Sequence, residues 1–173
     1  MKLFRCQICG DPYLGSAPPS FCPFCGAPEK YMVPAEQYQD RNKVPDLSAR
    51  SKDNLEKALA LEVANAGFYL CAMACSPSPV YQAMFKALAK AEAEHASLIC
   101  KILQIPKPEI KPDKQACQGD PKANFASSHD RETRAVAFYS QAAQEAVEPR
   151  VKEVFTALSE IEAYHIALAD ANR

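Results

Sequence analysis

Four stretches of this chain repeat apolar residues at alternating spacings of four and three, the period of one face of a helix. The first places Leu55, Leu59, Ala66, Tyr69 and Met73 on one seam with Glu62 among them. Ser51, with Asp53 or Asn54 after it, offers an N-terminal cap, and Ser76-Pro77-Ser78-Pro79 ends the stretch. The second aligns Phe85, Leu88, Glu92, His95, Ile99 and Ile102 and stops before Pro106. The third runs from about Phe125 through Glu132, Val136, Tyr139 and Ala143 to the neighbourhood of Pro149. The fourth carries Val151, Phe155, Leu158, Glu162, His165 and Ala169. The pattern predicts four helices across residues 51–173.

The connections between these helices are a few residues long, except for IPKPEIKPDKQACQGDPKAN between the second and third. One long connection among short ones suits two helix hairpins joined by a single crossover, the all-α, ferritin-like four-helix bundle. The 34 residues at the start read differently: they hold two C-x-x-C pairs and are rich in glycine and proline. A segment that short cannot build a core without a staple. Residues 35–50 lack apolar periodicity and read as a linker.

Each helical seam is interrupted by charge where an apolar residue belongs. Glu62, Glu92 and His95 recur, every member displaced by seventy positions, as Glu132, Glu162 and His165. The surroundings repeat too: Phe68-Tyr69 as Phe138-Tyr139, and Phe85 as Phe155. A lone E-x-x-H is common and marks a solvated helix face with a surface ion pair. Two copies in register, with two further glutamates on core seams, are another matter. Burying an ionised carboxylate costs several kcal/mol unless it is paired or binds a metal. Positions three apart share a helix face, so each E-x-x-H presents one carboxylate and one imidazole together. Six such groups form a symmetric shell for two metals, and mixed oxygen and nitrogen ligands suit iron or manganese, with zinc as a further option. Tyr69 and Tyr139, seven residues after each lone glutamate, face the same seams and can hydrogen-bond the ligand carboxylates or simply pack. His129 reads as a solvated residue near the start of the third helix.

Cys6, Cys9, Cys22 and Cys25 form a second candidate site, in which each C-x-x-C turn aims two sulfurs inward at a tetrahedral zinc or iron. The other four cysteines lie on helices (Cys71, Cys75, Cys100) or in the crossover (Cys117). With no secretion signal ahead of the knuckles, the expected compartment is the cytoplasm and these four are expected as free thiols, disulfides being the alternative for a hyperthermophile. A net charge of −1, with no basic patch, argues against nucleic acid and an anionic membrane surface.

The segment 51–173 resembles the diiron domain of the rubrerythrin family. The matches are Glu62, Glu92, His95, Glu132, Glu162 and His165, with a Phe-Tyr pair after each lone glutamate. The knuckles, CQICG and CPFCG followed by Ala27-Pro28, resemble that family's short rubredoxin-like domain. Here this domain precedes the bundle, the order of the reversed rubrerythrins. The resemblance implies two iron ions in the bundle and one iron in the four-cysteine site. It implies a non-haem oxidoreductase that reduces hydrogen peroxide to water, fed singly with electrons by a donor protein through the cysteine-bound iron. Reduction of dioxygen, or ferroxidase activity, at the same centre is the runner-up, and an iron-handling protein with a structural zinc ribbon is the reading from another class. Family members commonly form homodimers in which the two sites meet between subunits. One position departs from the family pattern: where a seventh carboxylate usually follows the third-helix glutamate, this chain has Ala135, with Asn65 as its counterpart in the first half.

Overall fold

The computed structural model describes all residues from Met1 to Arg173. At its N-terminus, strands β1 (Lys2–Cys6), β2 (Pro12–Gly15) and β3 (Met32–Pro34) form an antiparallel sheet in the order β2-β1-β3. Two knuckles flank it, each closed by a backbone bond, Gly10 N–H to Cys6 O and Gly26 N–H to Cys22 O, both 2.9 Å. Both glycines sit at positive φ, +90° and +76°, a conformation that any side chain would strain.

Four helices follow: α1 (Ala49–Cys75), α2 (Pro79–Leu103), α3 (Pro121–Glu145) and α4 (Pro149–Asp170). Ser48 rather than Ser51 caps α1, its side chain accepting from the Ser51 N–H at 3.2 Å. Ser51 is buried, and its hydroxyl donates to Glu148 instead. Helix α3 begins four residues before Phe125, where Asp120 caps it and Pro121 occupies the first turn. Proline also opens α2 and α4. Helix α1 pairs with α2 and α3 with α4; between hairpins the backbones approach most closely at α1 and α3. By length and composition α1 is apolar enough to cross a membrane, yet Glu62 and Asn65 lie buried in its middle.

Two apolar clusters fill the interior. One, around Phe68, Tyr69, Phe85 and Phe125, occupies the end of the bundle near the crossover. The larger one runs from Leu55, Phe155 and Leu158 straight into the knuckle domain through Ile8, the four cysteines and Met32. A full Phe or Leu burial is worth roughly 1.5–3 kcal/mol, so a shared core ties the knuckle domain to the bundle. The linker is part of this union. Arg150, buried at the start of α4, donates to Gln7 O (2.9 Å), Ile8 O (2.8 Å) and Asn42 Oδ1 (2.8 Å). Residues 35–50 are therefore held in place, and the knuckle domain sits on its own chain's bundle.

The crossover corrects one expectation. Cys71 and Cys117 are joined by a disulfide that closes 46 residues, so only Cys75 and Cys100 of the four are free. Helical periodicity places Cys71 on α1 but carries no information on where an irregular proline-rich segment brings Cys117.

Candidate metal centre

Between the two apolar clusters the six charged seam residues converge. Helices α2 and α4 each contribute a Glu and a His three residues apart, and α1 and α3 each contribute one Glu. All four carboxylates and His95 have no solvent exposure, while the His165 side chain is 11% exposed. Ligand atoms group into two overlapping sets, Glu62, Glu92, His95 and Glu162, and Glu92, Glu132, Glu162 and His165, each within 4.8 Å. Glu92 and Glu162 belong to both sets, so they could serve two ions, with Glu62 and His95 available to one and Glu132 and His165 to the other. His95 Nδ1 lies 3.4 Å from Glu62, 3.3 Å from Glu92 and 3.2 Å from Glu162. His165 Nδ1 lies 3.1 Å from Glu92 and 2.7 Å from Glu162.

The internal twofold extends to the neighbours. The two imidazole rings stack at 6.2 Å; Tyr69 stacks on Phe85 at 6.3 Å and Tyr139 on Phe155 at 5.8 Å. Each tyrosine serves the lone glutamate of the other half: Tyr139 donates to Glu62 and Tyr69 to Glu132. The twofold fails at one point. Asn65 Nδ2 donates to Glu132 at 3.2 Å and its Oδ1 accepts from Arg131 at 3.3 Å, whereas its counterpart Ala135 is an apolar core residue. Ser128, one turn before Glu132, completes that half by bonding the Tyr69 hydroxyl at 2.6 Å. Periodicity misses Ser128 and Asn65 as partners of the site; the available signal is that each is a small polar residue on a buried seam.

The donor set has the character of a cation site. Glu62 Oε2, Glu92 Oε1, both oxygens of Glu162 and Nδ1 of His165 are buried without a hydrogen-bond partner, an arrangement that buried polar atoms avoid. Nitrogen and oxygen atoms close in space yet not aligned as donor and acceptor are what an ion between them would organise. The same crowding of buried carboxylates and imidazoles raises the proton affinity of several of them. Burial and Glu92 raise Glu62 well above the usual carboxylate range, and burial with Glu92 and Glu162 does the same to Glu132. Burial opposes charging of His95 and His165, but the facing carboxylates outweigh it and raise both well above the ordinary imidazole value. Burial and Glu132 raise Tyr69; burial and Glu62 raise Tyr139.

The four knuckle cysteines are buried and their sulfurs lie within 4.8 Å of one another. Cys6 and Cys25 are 3.7 Å apart, as are Cys9 and Cys22. A tetrahedral ion with bonds of about 2.3 Å to sulfur sets sulfurs about 3.8 Å apart, so the cage has the size of a metal site. The two cages touch: His95, with Nδ1 turned into the carboxylates, meets the Cys25 carbonyl through Nε2 at 2.8 Å. His129 lies apart from both cages, paired with Asp130 at 3.3 Å and Asp170 at 3.6 Å.

Residues 53–172, nearly the whole bundle, match the Rubrerythrin family profile. The chain belongs to the rubrerythrin family. Among curated relatives, Reverse rubrerythrin-1 of Clostridium acetobutylicum is 31% identical over 157 residues, covering 75% of this chain and 86% of that protein. No solved structure matches. Rubrerythrin membership makes this an iron-binding protein of oxidoreductase type, with its cysteine cage placed ahead of the bundle rather than after it.

Proposed function

We propose that this protein reduces hydrogen peroxide to water at the carboxylate–imidazole centre, using electrons delivered through the four-cysteine cage. The observation that carries the reading is the direct contact between the cages through His95 and the Cys25 carbonyl. Each peroxide takes up two electrons and two protons and leaves as two waters. When bound, the iron pair supplies two electrons at the point where the O–O bond breaks and polarises that bond. Glu92 and Glu162 would hold both ions, with Glu62 and His95 on one and Glu132 and His165 on the other. Cys6, Cys9, Cys22 and Cys25 would hold the single ion of the electron-transfer site. The chain's own contribution is placement. Tyr139 and Tyr69 fix the outer glutamates, and Asn65 fixes Glu132 from another side. The surrounding apolar clusters exclude bulk water from every ligand except His165.

That exception marks the way in. A cavity of about 290 Å³ lies between the knuckle residues Cys22–Gly26 and the α2–α4 face, with His165 in its lining. Its lining is mainly apolar, which lets a small uncharged oxidant approach the His165 side of the centre. Ala135 supports a second reading, dioxygen reduction, because it places a methyl group where the family pattern has a carboxylate.

Rapid mixing of anaerobically reduced protein with stoichiometric peroxide, and separately with oxygen, tests both readings through the visible absorption of the ferric thiolate. Faster return of colour with peroxide supports the peroxidase; equal or faster return with oxygen supports the second reading. The Glu92→Ala variant should keep the thiolate colour and lose peroxide turnover, and retained turnover would defeat the assignment. A protein in which that colour never forms carries zinc in the knuckles and has no electron relay.

A further inference from the structure

Away from both cages, three cysteines meet where the crossover passes over the end of α1. Cys71 and Cys75 are one helical turn apart on α1, and the crossover brings Cys117 to both. Cys71 is buried and bonded to Cys117, with their Cα atoms 5.8 Å apart. Cys75 is a free, exposed thiol whose sulfur lies 3.5 Å from Cys117 Sγ. All three sulfurs fall within 4.8 Å of one another. A free thiol touching one sulfur of a disulfide, with the other sulfur shielded, is within reach of exchange once side-chain rotation brings the three sulfurs into line.

We propose that Cys71, Cys75 and Cys117 form a thiol–disulfide exchange site that accepts electrons from a dithiol reductant through Cys75. The Cys75 thiolate attacks Cys117 Sγ, and a Cys75–Cys117 bond forms. The Cys71–Cys117 bond breaks, with its electron pair leaving on Cys71, which takes up the proton Cys75 gave up. Oxidation level is unchanged, but the disulfide has moved from a buried sulfur to an exposed one. One sulfur of the external dithiol then attacks Cys75 and releases Cys117 as a thiol. The dithiol's second sulfur closes on the first and releases Cys75. The reductant leaves as a disulfide, two electrons poorer, and the protein is left with three thiols. In the stored form Cys71 is buried and Cys117 half-buried, so exchange is the step that carries the disulfide onto the exposed Cys75, where a reductant attacks most readily.

The crossover backbone is held on both sides of Cys117. Asp113 N–H donates to Gly67 O at 3.0 Å, and Gln118 exchanges two hydrogen bonds with the buried Asn124, at 2.8 and 2.7 Å. Cys117 itself is only partly buried, so its sulfur passes from one neighbour to the other by side-chain rotation while the backbone stays anchored.

Peptide mapping of the full-length, metal-loaded protein tests the site, because Met73 separates Cys71 from Cys75. Oxidised protein is held at about pH 8, near the thiol pKa, then quenched in acid, cleaved with cyanogen bromide after methionine and digested with trypsin. Residues 115–122 then carry Cys117 alone. The expected result is a mixture of Cys71–Cys117 and Cys75–Cys117 linkages, and reduction by dithiothreitol at least about tenfold slower in Cys75→Ser. A Cys71→Ser variant, which leaves the surface pair intact, should form Cys75–Cys117 under oxidised glutathione. A single Cys71–Cys117 linkage in the wild type, reduced at the same rate in Cys75→Ser, overturns the proposal and leaves a static staple. Failure of Cys71→Ser to form the surface pair overturns it equally.

Discussion

Replacing Arg150 by Met should loosen the knuckle domain from the bundle while leaving both cages intact. Arg150 makes five hydrogen bonds: to Gln7 O, Ile8 O, Asn42 Oδ1 twice, and Glu153 at 2.6 Å. Methionine keeps much of the packing volume, so the loss is polar. Two backbone carbonyls and one side-chain oxygen are left without this donor, at about 1–3 kcal/mol for each that stays buried. Relaxation and water recover part, and about 3 kcal/mol of lost docking energy is the working figure. At about 1.4 kcal/mol per factor of ten, the undocked population rises about 100-fold. Native-state proteolysis reads that population directly when reclosing is fast. Arg41 and Lys43 are trypsin sites on either side of Asn42, which is 4% exposed and held by Arg150. Cleavage of native protein there should accelerate about 100-fold in Arg150→Met, and return of thiolate colour after peroxide should slow because the Cys25–His95 contact is broken for longer. Cleavage within twofold of wild type would refute the account of Arg150 as the clamp.

Three further outcomes follow from the site and the crossover. Tyr139→Phe removes the hydroxyl that holds Glu62 and should lower metal affinity or turnover about 10–100-fold while the bundle stays folded; unchanged values in metal titration and peroxide assays would assign Tyr139 to packing alone. In the metal-free protein, Glu62, Glu132, His95 and His165 all have raised proton affinity in the folded state. The native state then binds more protons than the unfolded chain, so stability falls as pH rises. The fall begins above the ordinary carboxylate value and continues through and beyond the ordinary imidazole value of about 6.5. Urea midpoints of apo-protein should be lower at alkaline than at mildly acidic pH, and a rising midpoint contradicts the reading. Reduction of the disulfide, which closes 46 residues, should remove up to about 4 kcal/mol by the chain-entropy argument, seen as a lower urea midpoint in reductant and absent in Cys117→Ser, which can form neither linkage.

Much of the centre was legible from spacing because helices report their buried face locally. Glu62, Glu92, His95 and their copies stand at core positions of a regular period, and ions are the common reason for carboxylates to stand there. Two C-x-x-C turns announce a thiolate cage for the same reason: a few adjacent residues determine the geometry. The four helices and the single long crossover were equally readable. Helix starts were less so, since Ser48 and Asp120 cap where an alternative, Ser51, is recruited by Glu148 on a distant helix end.

What spacing could not contain is everything set by how separate elements meet. The crossing of Tyr69 and Tyr139 to the opposite half's glutamate, the donation of Asn65 to Glu132, and the sharing of Glu92 and Glu162 between both ligand sets depend on interhelical packing. The Cys71–Cys117 bond depends on the path of an irregular segment. The docking of the knuckles through Arg150, which brings the Cys25 carbonyl to His95, joins residues seventy or more positions apart. Sequence alone determined the local chemistry, which residues can bind metal and on which helix faces they lie, because that follows from periodicity and burial. Tertiary structure alone decided that the two cages touch, because contact between distant segments follows from packing and from no local pattern.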